Sequence, residues 1–131
     1  MKKRLLAIFL AVLMLASLLP TSVFAADGDR VQIVHSDGTT TGFAGLDKAL
    51  QAIQAGETIK LLTNISRNSA LSVSGKTFTL DLNGYTLTTT ANIVISAGAD
   101  VVIDATGGGG ITSSSAARLF QVQDGASLTI N

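Results

Sequence analysis

One six-residue pattern recurs four times in this chain: glycine, two variable residues, an apolar residue, a variable residue, an apolar residue. It reads Gly56-Glu57-Thr58-Ile59-Lys60-Leu61, Gly75-Lys76-Thr77-Phe78-Thr79-Leu80, Gly98-Ala99-Asp100-Val101-Val102-Ile103 and Gly125-Ala126-Ser127-Leu128-Thr129-Ile130, with the glycines 19, 23 and 27 residues apart. Period-two alternation rich in Val, Ile, Thr and Phe specifies strand rather than helix. An apolar pair also repeats ahead of the glycines, as Leu71 with Val73, Ile93 with Ile95 and Phe120 with Val122. Each repeat therefore reads strand, glycine turn, strand, and units this short must stack on their neighbours to bury an apolar face. The pattern predicts an all-β parallel solenoid of about four coils over residues 56–131. Its coils would lie about 4.8 Å apart, with the apolar residues in one inner column.

Unequal spacing has a local cause. The longest interval contains Gly107 to Gly110, a flexible loop that absorbs extra residues while the strands keep their register. A phosphate-loop reading of these glycines fails because no Lys-Ser/Thr follows them. Asn83-Gly84 is a turn signal of its own.

The segment before the first repeat has a different period. Phe43, Leu46, Leu50 and Ile53 recur at three- and four-residue spacing, with Asp47, Lys48 and Gln51 on other faces. That predicts an amphipathic helix around residues 44–55, closed by Gly56. A stack of coils needs an atypical terminal unit over its open apolar layer, and this N-terminal helix suits that task. Arg30 to His35 alternates and Ser36-Asp37-Gly38 turns, so residues 26–55 are expected to form a strand or hairpin and a capping helix.

At the start of the chain, Lys2, Lys3 and Arg4 precede an apolar run from Leu5 to Leu19 and a small-residue exit at Val23-Phe24-Ala25. This is the pattern of a secretory signal peptide over residues 1–25, cleaved after Ala25 or Ala26. The run is too short to span a bilayer, which takes roughly 20 apolar residues. The expected location is extracellular or on the cell wall, with no membrane association after cleavage. Cleavage leaves six basic residues against nine acidic ones, a net charge of −3 that argues against nucleic acid as a partner. No cysteine is present, so regular hydrogen bonding and core packing must stabilise the domain.

Together, Ala49-Leu50-Gln51-Ala52-Ile53, the Gly56 motif and Thr79-Leu80-Asp81-Leu82-Asn83-Gly84-Tyr85-Thr86-Leu87 resemble right-handed parallel β-helix proteins of the pectate-lyase-like superfamily. More narrowly, the chain is similar to secreted surface proteins of Gram-positive bacteria, over residues 43–131. The resemblance implies a right-handed β-helix with a structural, adhesive or glycan-contacting role, cell-wall or extracellular polysaccharide being the expected partner. The alternative it implies is the N-terminal part of a lyase or glycosidase whose active site lies beyond residue 131. Such β-helices run to more coils and close with a second cap, so the resemblance also implies an N-terminal fragment with an open C-terminal coil, prone to self-association.

Candidate chemistry is sparse. Asp81, Asp104 and Asn131 each take the sixth place after a repeat glycine, so stacking would align them. Asp81 and Asp104 are the candidate metal ligands, for calcium. The competing reading is a ladder of Asx side chains bonded to turn backbone. In this alignment Leu62 occupies the column in the first coil, and Asp100 is a further carboxylate of the same region. Arg67, Lys76, Lys60 and Arg118 read as solvated surface charges, and His35 as surface or structural, with no nucleophile signature beside it. Thr77 and Thr79 suggest a hydroxyl face of the ice-binding kind, interrupted by Thr58/Lys60 and Asp100/Val102. Tyr85 is the one residue suited to stacking on sugar. No residue is assigned a catalytic or cofactor-binding role.

Overall fold

The computed structural model describes residues 28–114 and 118–131. The expected signal peptide lies outside them. The described chain is an all-β solenoid of about three turns with one short helix. Its elements are β1 (Val31–Val34), β2 (Thr40–Phe43), α1 (Leu46–Ala52), β3 (Glu57–Leu61), β4 (Ile65–Arg67), β5 (Leu71–Val73), β6 (Thr77–Asp81), β7 (Thr86–Thr89), β8 (Ile93–Ile95), β9 (Asp100–Asp104), β10 (Gly110–Ser113), β11 (Phe120–Val122) and β12 (Ser127–Ile130).

Each turn contributes one strand to each of three faces. The first face stacks β3, β6, β9 and β12, the second β4, β7 and β10, and the third β5, β8 and β11, all in parallel. The four glycine motifs thus supply four strands of one face but three complete turns, with β12 beginning a fourth. The second face was not expected. Its strands carry a single inward apolar residue each, Ile65, Leu87 and Ile111 in register, so no apolar pair marks them in the sequence.

Alternation drives packing on the first face. Ile59, Leu80 and Ile103 share one inward row, with Phe78 and Val101 in the next, all buried. Fully burying such a side chain contributes about 1.5–3 kcal/mol, which is why the pattern outweighs the entropy of ordering these short strands.

Register in the first coil departs from the glycine alignment. Gly75, Gly98 and Gly125 stack, with Gly75 N–H donating to Ala97 O and Gly98 N–H to Gly125 O. Gly56 instead donates to Thr77 O, and Ile59 stands opposite Leu80, two residues beyond the aligned position. The physical reason is that Gly56 leaves a helix, whereas the later glycines leave strands of the third face. One consequence is that Lys60, and not Leu62, lies opposite Asp81.

The N-terminal end is closed by two devices. β1 pairs antiparallel with both β3 and β2, extending the first face by a hairpin. Helix α1 buries Leu46 and Ala49, and Leu46 and Leu50 line the same interior space as Leu71, Val73, Phe78 and Leu80. The helix follows the hairpin and is shorter than the expected 44–55: Phe43 belongs to β2, opposite Val31. Glu57 ends the helix from below, because its Oε2 accepts the Gln54 N–H at 2.9 Å while Ile53 is already extended, at ψ 137.

Candidate functional site

The corrected register assembles a charged column on the outer side of the first face: Lys60, Asp81, Asp104 and, one residue past β12, Asn131. Lys60 Nζ is 3.8 Å from Asp81 Oδ2. Each aspartate is committed to its own corner. Asp81 Oδ1 accepts the Asn83 N–H at 2.8 Å, and Asp104 Oδ1 accepts the Thr106 N–H at 2.9 Å and the Thr106 hydroxyl at 2.6 Å. Those hydrogen bonds, the hydroxyl's first, hold the Asp104 carboxyl below its ordinary value. Asn83 completes the stitch, donating from Nδ2 to Leu61 O at 2.9 Å on the preceding coil and taking φ 51 in its turn.

For calcium, which takes 6–8 oxygen ligands, this pair supplies two carboxylates with an ammonium beside one of them. Among the described residues no three His, Cys, Asp or Glu side chains come together in a way that could hold a metal ion. Asp100 occupies the same outer side of β9 at its opposite end, paired in register with Thr77.

The remaining basic residues divide. Lys76 Nζ lies 3.4 Å from the carbonyls of Gln51 and Ile53, steadying the end of the helix, and Arg118 is exposed. Arg67 corrects the expectation of a solvated charge. Its side chain is only 9% exposed and its Nη1 is 2.8 Å from Asp47 Oδ1 on α1. The parity of β4 turns Ser66 outward and Arg67 toward the helix, a placement with no signal in the sequence because no apolar pair marks the second face.

On that second face, Ser66, Thr88 and Thr112 form one outward row, and Thr112 Oγ1 donates to Thr88 Oγ1 at 3.2 Å. Thr86 and Thr90 flank Thr88 on the same side of its chain. This surface is flat, uncharged and rich in hydroxyls, and it replaces the Thr77/Thr79 row as the most regular hydroxyl array. Tyr85 is half-buried and packs against the core, so its ring is not an open stacking platform.

His35 is structural. Its Nδ1 and Nε2 contact Glu57 and Thr41, linking the hairpin to the first coil. Glu57 is 7% exposed, a buried acid that the sequence pattern hid at an inward position of β3. No helix among the described residues is long and apolar enough to cross a membrane. No family model matches the chain, and neither a curated protein nor a solved structure matches it.

Proposed function

We propose that the chain is a secreted, cell-surface β-helix module of the pectate-lyase-like type, wound right-handed, with a glycan-contacting role that is adhesive or structural rather than catalytic. The observation that carries this reading is the uncharged hydroxyl surface of the second face, centred on Ser66, Thr88 and Thr112. A flat array of donors and acceptors at a strand spacing of about 4.8 Å suits a repeating neutral polysaccharide, which binds through many weak polar contacts. Secretion is supported by the leader pattern of residues 1–25.

Affinity electrophoresis through gels containing cell-wall or extracellular polysaccharide tests it. Retardation relative to a polysaccharide-free gel is expected for the native chain and its loss for the charge-neutral triple variant Ser66→Val, Thr88→Val, Thr112→Val. Equal retardation of the two in every polysaccharide overturns the reading. Release of shortened products from the same polysaccharides would establish the lyase or glycosidase alternative instead.

Self-association is favoured by a separate observation. Val122 and Ile130 are 46% and 58% exposed on β11 and β12, each an edge strand of its sheet. Exposed strand edges beside apolar side chains are templates for pairing. Sedimentation velocity over a concentration series is expected to show association that Ile130→Lys reduces.

A further inference from the structure

Between α1 and the free edge of β4 lies a cavity of about 260 Å³. Arg30, Ser66, Arg67, Asn68 and Ser69 line it together with Asp47. Two arginines against one aspartate among the lining residues give it a net positive formal charge. Arg67 is the unusual member, because its Nε is buried and has no hydrogen-bond partner among the described residues. An orphaned buried donor is destabilising, and more so when the group is charged. Asp47 occupies Nη1 of the same guanidinium, while Nη2 meets, among the described residues, the Ser69 hydroxyl at 3.5 Å. The Nε–Nη2 edge is the side-on fork with which arginine grips two oxygens of one oxyanion.

We propose that this cavity binds an oxyanion, a carboxylate, sulfate or phosphate group, with the Nε–Nη2 edge of Arg67 as its bidentate donor and Arg30 as the second cation. The volume suffices for such a group, since a water's share of liquid volume is about 30 Å³. Entry requires Ser69, an exposed loop residue held by one long contact, to move off Nη2. Arg67 then exchanges an unsatisfied donor for a charge-assisted pair, and Asp47 keeps the guanidinium plane fixed through Nη1. The site is on the N-terminal edge of the second face and shares Ser66 with the hydroxyl surface, but its donors are Arg67 and Arg30, which that surface does not use, so either proposal can fail alone.

The test is an NMR titration of the ¹⁵N-labelled full chain, following the Arg67 Nε–H signal against sodium phosphate, sulfate and acetate. Ionic strength is held constant with sodium chloride so that screening does not vary. A saturable shift with at least one of the three, absent with chloride, is the expected result. Preference for acetate points to a carboxylate, and preference for phosphate or sulfate to a tetrahedral anion. Arg30→Gln is expected to weaken binding about tenfold, the scale of one charge-assisted contact. Asp47→Asn, which removes the competing negative charge, should tighten it. A non-saturating drift with all three anions, or saturation unchanged in Arg30→Gln, overturns the proposal and leaves Arg67 as a strut between helix and coil.

Discussion

His35 Nδ1 lies 2.6 Å from Glu57 Oε1, and the other nitrogen of the same ring lies 2.8 Å from Thr41 Oγ1. One imidazole therefore ties together β2, β1 and β3, the three strands through which the hairpin joins the first coil. Glu57 uses its second oxygen on the Gln54 N–H, so the same carboxylate ends α1.

Acid should weaken this joint. The Glu57 carboxyl is held below its ordinary 4.5 first by the hydrogen bond from His35, then by the Gln54 N–H and by the charge of His35, against the opposing effect of burial. Asp37 and Asp104 are lowered likewise by Thr39 and Thr106. A carboxyl whose folded value is depressed contributes stability above its unfolded value and loses it as pH falls through the folded one. Thermal unfolding is expected to be flat from neutral pH down to about 5 and to drop below about 4.5. Glu57→Gln should show a shallower acid limb, and an identical limb would refute the assignment.

Removing the cap's apolar anchor should cost more than any surface change. Leu46 is 3% exposed at the end of the inner column. Leu46→Ala is expected to destabilise by about 2–5 kcal/mol in denaturant unfolding. A cost comparable to a surface substitution would mean that α1 does not close the stack.

Two neighbouring glycines should behave oppositely. At Gly109, with φ 99, an added Cβ would collide with the Tyr85 carbonyl oxygen and press on Leu82, whereas at Gly107 it meets nothing. Gly109→Ala is expected to cost about 1–3 kcal/mol and Gly107→Ala under about 0.5 kcal/mol. Melting temperatures of the two variants decide the point.

The aspartate ladder separates from a calcium site by one comparison. Asp104→Ala removes the acceptor of two hydrogen bonds from Thr106 and should lower the melting temperature. That loss is expected to be the same with millimolar calcium as with a chelator. A stabilisation by calcium that disappears in Asp81→Asn or Asp104→Ala would restore the metal reading.

Much of this solenoid was legible because its signals are local. Phe78 and Leu80 alternate with Thr77, Thr79 and Asp81, and that alternation says which side is buried; in β9 the flanking Asp100 and Asp104 set the same parity although Val102 between Val101 and Ile103 is apolar. Gly75, Gly98 and Gly125 mark corners, with φ of 61, 78 and 78. Less legible was anything that depended on which coil residue faces which. Lys60 looked aligned with Thr79 and proved to lie opposite Asp81, because the helix before Gly56 shifts the first coil by two residues. The second face was silent, since strands holding one inward apolar residue among Ser and Thr carry no period. Arg67 consequently looked like surface charge.

The sequence by itself determined the strand character, the corners, the inner column and the amphipathic segment that caps it, since each follows from the chemistry of residues a few positions apart. Only the tertiary structure decided the three-sided winding, the row that brings Lys60 to Asp81, the His35–Glu57 clasp and the buried guanidinium of Arg67. These are relations between residues about 20 or more positions apart, whose pairing is settled by how coils pack rather than by the residues adjoining them.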